Sequence, residues 1–153
     1  GGLSAHNYYL YGSPRHRDRL FWIPWDHDLA LSGGGGGLAG GVGAGGATFD
    51  LFLQSAGASW PLIRFLLDDP VYRAAYRGHV ESLLNTVFEP GRVAAVIRAE
   101  QARITPYVVG SDGEAASWTF AGTPAQFAAT AAALVSTVET RAAAARRTLG
   151  GAQ

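Results

Sequence analysis

Two hydrophobic rhythms divide the chain. Near the amino end, Asn7-Tyr8-Tyr9-Leu10-Tyr11 and Leu20-Phe21-Trp22-Ile23-Pro24-Trp25 are strand-like runs dense in aromatic residues. The polar stretch between them holds Ser13-Pro14 and the charged cluster Arg15, His16, Arg17, Asp18 and Arg19, which is turn chemistry. The pattern predicts a β-hairpin of two buried ribbons. Pro24 has no N–H to give to a ladder, so the second strand is an edge or ends there.

Beyond residue 60 the apolar period becomes about 3.6, the spacing of helices that bury one face. A short helix is predicted over 61–67, and Asp69-Pro70 caps and opens the next. There Tyr72, Tyr76, Val80, Leu83 and Val87 share a face, with His79 beside it as a core residue, until Pro90-Gly91 interrupts. A third helix carries Val93, Ile97 and Ile104 and is expected to stop at Pro106. Its Glu100 faces the apolar side, where a buried cationic partner is expected. A connection over 108–122 follows, in which Trp118 and Phe120 pack down. Thr123-Pro124 opens the last helix, aligning Phe127, Leu134, Val138 and Ala142. Arg141, Arg146 and Arg147 lie towards the negative end of its dipole, and Gly150-Gly151 ends it. The expected architecture is α+β, mostly α: an amino-terminal hairpin packed on about four helices, in one domain over 1–153.

Between the two rhythms lies a tract over 33–46 with ten glycines in fourteen residues, expected to be a flexible loop. Gly41-Val42-Gly43-Ala44-Gly45-Gly46 formally fits the dinucleotide pattern G-x-G-x-x-G. A glycine tract produces that pattern by chance, and the preceding strand and later acidic residue of a βαβ unit are not evident.

Composition narrows the partners. The 12 basic and 12 acidic residues cancel, so no overall field attracts nucleic acid or an acidic membrane. No apolar run approaches the roughly 20 residues of a membrane-spanning helix. The chain has no cysteine, which excludes disulfides and thiolate metal sites in either redox compartment. It has no methionine, even at position 1, which is expected of a piece of a longer chain.

The candidate chemistry sits just after the second aromatic run, in Trp25-Asp26-His27-Asp28. Residues two apart in a strand point the same way at about 6.6 Å, so Asp26 and Asp28 present two carboxylates on one face while His27 points away. Such hard-oxygen donors suit magnesium carried in with a nucleotide. The plainer reading is that the two aspartates solvate a strand end or cap a turn. Trp22, Ile23 and Trp25 beneath the pair, and the absence of any lysine from the chain, favour a cation between the carboxylates. A hairpin could bring Asn7 back beside Asp26, and an asparagine and an aspartate flanking a short hairpin are how protein kinases hold two magnesium ions. Asparagines near strands also make local turn hydrogen bonds, so that alternative stays open. His6 and His27 read as hydrogen-bonding histidines, since no third nitrogen or sulfur ligand stands in register.

The segments His6-Asn7-Tyr8-Tyr9-Leu10-Tyr11 and Phe21-Trp22-Ile23-Pro24-Trp25-Asp26-His27-Asp28-Leu29-Ala30 resemble the hallmark of the CotH (spore coat protein H) kinases, an asparagine-led aromatic strand followed by Pro-Trp-Asp-x-Asp. The likeness continues through Pro61-Leu62, Leu66-Leu67, Pro70-Val71-Tyr72-Arg73, Tyr76 and Ile104-Thr105-Pro106 to Arg141. The resemblance implies the carboxyl-terminal lobe of an atypical, kinase-like fold. That fold transfers the γ-phosphate of ATP, with Mg2+ or Mn2+, to Ser or Thr of secreted or surface proteins such as spore-coat components. Asn7 and Asp26 would be metal ligands, with Asp28 a second ligand or support. An extracellular, cell-surface or spore-coat location follows from the same likeness. The family's catalytic aspartate precedes the asparagine, and residues 1–6 contain none. The base is therefore expected upstream of Gly1, and the ATP-anchoring amino-terminal lobe is expected elsewhere in the same chain, leaving these residues inactive alone. Two rivals are a non-catalytic surface or adhesion module on the same fold and a metal-dependent hydrolase using Asp26, Asp28 and His27. Strand alternation puts His27 on the wrong face for the hydrolase.

Overall fold

The computed structural model describes residues 8–25, 31, 51–54, 57–58, 60–110, 113 and 123–151. In order, these form strand β1 (Tyr8–Ser13), a 3-10 turn (Pro14–His16), strand β2 (Arg19–Pro24), and helices α1 (Pro61–Asp68), α2 (Pro70–Asn85), α3 (Pro90–Val108) and α4 (Pro124–Gly151). This is the expected mostly helical α+β arrangement. The glycine tract over 33–46, Trp118 and Phe120 lie outside the described residues.

The hairpin is antiparallel, with Tyr8 opposite Pro24, Leu10 opposite Trp22 and Gly12 opposite Leu20. Arg17 and Asp18 turn the chain with φ of 56° and 55°, in the left-handed region where aspartate is enriched. Asp18 N–H donates to Ser13 O at 3.0 Å, which closes the turn. Of the twelve strand residues only Ser13 is buried. The expectation of two buried ribbons packed on the helices is therefore corrected. Apolar side chains occupy both faces of the ribbon, so no single face could be buried while a polar one met water, and Tyr9, Leu20 and Trp22 are 59%, 66% and 56% exposed. The ribbon is held by its ladder and by ring contacts, Tyr8 on Trp22 at 6.4 Å and His16 edge-on to Phe21 at 5.3 Å.

The helices begin where the sequence supplies caps. Asp69 accepts from the N–H groups of Val71 and Tyr72 at 2.8 and 3.2 Å, and Glu89 from those of Gly91 and Arg92 at 3.0 and 2.8 Å. Thr123 Oγ1 does the same for Gln126 N–H at 3.2 Å. Pro106 does not stop α3, contrary to expectation. It costs only the bond to the Ala102 carbonyl and sits in the final turn, where little helix is left to disrupt. The stop comes at Gly110, whose N–H turns back to Thr105 O at 3.2 Å. A Cβ there would stand 2.6 Å from Pro106 O, so only glycine fits.

One buried cluster lies between α2 and α4, and α4 also packs along α3. Leu84, Ala142 and Leu149 are buried together, with Leu51, Phe52, Val80, Phe88 and Ala145 packed against them. Val138 of α4 is fully buried. The inward line on α2 ends at Leu84 rather than Leu83, because Tyr76, Val80 and Leu84 follow the i, i+4, i+8 row while Leu83 points outward. His79 is exposed for the same reason. Glu100 is also at the surface, and its partner is Arg103 at 2.7 Å.

Two arginines cross-tie this core. Arg146 of α4 donates to Leu84 O at 2.9 Å, at the end of α2, and Arg77 of α2 donates to Leu149 O, at the end of α4. Each satisfies a carbonyl that a helix terminus leaves without an intrahelical donor. Arg146 thus serves the end of α2 rather than the dipole of its own helix.

Candidate functional site

The β1–β2 register decides which chain ends meet. Tyr8 and Pro24 stand opposite each other, so the strand end leading back to Asn7 and the strand end leading on to Trp25 and Asp26 are neighbours. Trp25 is 61% exposed there, beside the half-exposed Tyr8 and Trp22. Asn7, Asp26 and Asp28 themselves lie outside the described residues, as do His6 and His27. Arg15, Arg17 and Arg19 cap the opposite end of the hairpin and are all exposed.

A second arrangement escaped the sequence reading. A cavity of about 540 Å³ opens between α1, the first half of α2 and the segment at 52–54. Its walls are Phe52, Gln54, Arg64, Leu67, Asp68, Pro70, Arg73, Ala74 and Arg77. Arg64 reaches across it, donating to Phe52 O at 3.1 Å and to Asp68 Oδ1 at 3.3 Å. Tyr76 OH ties the same segment to α2 through Leu51 O at 2.9 Å. Leu53 is held at a φ of 48°, a strained value for a leucine, where these bonds fix its neighbours. The only advance signal was the spacing of Arg73 and Arg77, one helical turn apart; Arg64 belongs to another helix and was not legible as their companion.

Electrostatically the clearest perturbation is at Glu89. Its carboxylate is held below the ordinary value of 4.5, chiefly by the Gly91 and Arg92 backbone N–H donors, with smaller help from the charges of Arg92 and Arg146. That is helix capping rather than catalysis. Among the described residues no group of three or more His, Asp or Glu could hold a metal ion. Among them, too, no helix is long and apolar enough to cross a membrane, the 28-residue α4 included.

An aromatic hairpin followed by a bundle of helices, with acidic residues just past the second strand, defines the class of chain to be compared. The family model described as CotH kinase protein matches residues 3–145, and this chain belongs to that family. The matched stretch includes Asn7, Asp26 and Asp28 and runs through most of α4. No curated protein and no solved structure matches the chain. Membership brings a kinase-like function and, in general, the use of ATP and a divalent metal.

Proposed function

We propose that these residues form the metal and substrate side of a CotH-type protein kinase, acting on Ser or Thr of secreted or surface proteins, including coat-like ones. Asn7 and Asp26 hold the divalent ion that accompanies ATP, and Asp28 is a second ligand or a support for Asp26. The observation that carries the reading is the register placing Tyr8 opposite Pro24, which makes neighbours of the two strand ends from which the chain continues to these residues. The donor set fits: amide and carboxylate oxygens are what Mg2+ or Mn2+ prefers, and the chain has no lysine to neutralise the carboxylates instead. The bound ion supplies charge neutralisation on the phosphates, and the side chains of Asn7, Asp26 and Asp28 fix where that charge sits. The base that accepts the hydroxyl proton of the substrate comes from outside this set.

The test is Asp26→Asn in the natural protein. Phosphate transfer falls by at least about 100-fold, the scale on which one preorganised electrostatic contact acts, while the thermal unfolding midpoint stays unchanged. Normal turnover by this variant would refute the metal assignment. A second reading, a non-catalytic surface module on the same fold, is favoured by the exposed aromatic ribbon. It predicts no ATP-dependent transfer by the wild-type protein and no effect of Asp26→Asn on partner binding.

A further inference from the structure

The cavity between α1 and α2 is lined by three guanidinium groups and one carboxylate. Asp68 is the acid, and it is 65% exposed and meets Arg64 only at 3.3 Å. With Glu81, which pairs with Arg77, it offsets two of the three positive charges, leaving that of Arg73 without an ion-pair partner among the described residues. Arg77 is held by Glu81 at 3.2 Å and by Leu149 O, so it is a fixed part of the wall. Arg73, one turn before it, makes no side-chain hydrogen bond or ion pair within the described residues, while its backbone is anchored to Asp69 O at 2.9 Å. The Asp69 carboxylate is already taken up by the first N–H groups of α2.

Arg64 is the second donor in the wall. Its side chain is only 23% exposed, its Nη atoms are engaged, and its Nε is buried with no hydrogen-bond partner. Nε has no accessible surface and stays inside the wall, whereas each Nη atom carries a second N–H beyond the one engaged, and these are the Arg64 donors left for a ligand. Leu67, Pro70, Ala74 and Phe52 give the wall apolar patches beside the polar Gln54, and a charge-assisted bond formed against those patches is strengthened. A rigid guanidinium fork matches the oxygens of phosphate better than a point charge would. The volume exceeds that of a bare oxyanion and suits a phosphate carried on a small organic group.

We propose that this cavity binds a phosphate dianion, free or carried as a monoester, with Arg73 and Arg64 as its donors and Arg77 as a fixed part of the wall. The site lies on different elements from the hairpin and is independent of the metal ligands proposed above.

The experiment is a titration of the whole 153-residue chain, without divalent metal and at constant ionic strength, following backbone amide shifts with inorganic phosphate and with O-phosphoserine. Saturable shifts clustered over 64–77, with a dissociation constant of about 1–10 mM or tighter, are expected. Arg73→Gln weakens binding at least fivefold with an unchanged unfolding midpoint, and Asp68→Asn tightens it by removing the competing carboxylate. Tighter binding of phosphoserine identifies a phosphorylated side chain as the source of the group; equal binding identifies free phosphate. Shifts that do not saturate with either probe, or that persist unchanged in Arg73→Gln, overturn the proposal. Because no metal is present, that failure says nothing about Asp26, and loss of activity in Asp26→Asn says nothing about this cavity.

Discussion

The hairpin strands are more apolar in sequence than the helical unit, yet it is the helical unit that buries its apolar side chains. In the α2–α4 unit the apolar residues fall on single faces, so Leu84, Ala142 and Leu149 leave water together. In the hairpin they fall on both faces, and a two-stranded ribbon has no second layer to cover either one. Hydrophobic content alone therefore does not make a core; what matters is whether it is confined to a side that a neighbour can cover. The result is a large exposed aromatic area on the ribbon.

This contrast is broken most directly by paired truncations. Leu84→Ala removes a buried side chain from the centre of the core and is expected to lower the unfolding free energy by about 2–5 kcal/mol. Trp22→Ala removes a larger but half-exposed side chain and is expected to cost less than about 1 kcal/mol, as surface substitutions usually do. Urea unfolding followed by circular dichroism at the helical band measures both. Equal losses would mean that the ribbon and the helices share one core.

Next in size is the arginine cross-tie. Arg146→Ala leaves the Leu84 carbonyl without its donor and is expected to cost about 1–2 kcal/mol, the scale of a hydrogen bond from a charged group at a partly exposed site. Arg147→Ala is the control: its side chain is exposed, and its loss is expected to leave the unfolding midpoint within error. If the two variants were equally mild, the Arg146 bond would add nothing measurable, leaving apolar packing and the Arg77 tie to join α2 and α4.

The sequence disclosed the helices better than what they bury. Proline and cap signals at Asp69-Pro70 and Thr123-Pro124 are local chemistry, and they marked where α2 and α4 start. Pro90-Gly91 was legible as a break, although Glu89 makes it also the start of α3. Facing was harder. Leu83 and Leu84 are adjacent, and choosing between them needs the position of α4, which a period of 3.6 does not supply. Pro106 misled because its effect depends on how much helix remains beyond it. The candidate metal residues were legible as a motif, since Asn7, Asp26 and Asp28 lie within a few positions of the two strands along the sequence. The arginine cavity was not, because Arg64 and Arg73 meet only through the packing of α1 on α2.

The smallest effect expected is in acid, and it again separates the two regions. Glu89 caps α3 as a carboxylate, and its folded-state value lies below the ordinary 4.5. A group whose folded value is depressed contributes stability that is fully present above its unfolded value and is lost as pH falls through the folded one. The contribution is therefore intact at neutral pH, begins to decline below about pH 4.5 and is gone once the carboxyl is protonated in both states. In Glu89→Gln the cap keeps an acceptor but has no charge to lose. The urea midpoints of wild type and variant should differ at neutral pH and converge in acid, read from the helical signal. A difference that stayed constant across that range would mean that the charge on Glu89 contributes nothing, and no difference at any pH would mean that the Gly91 and Arg92 N–H groups are served equally well by a neutral amide oxygen.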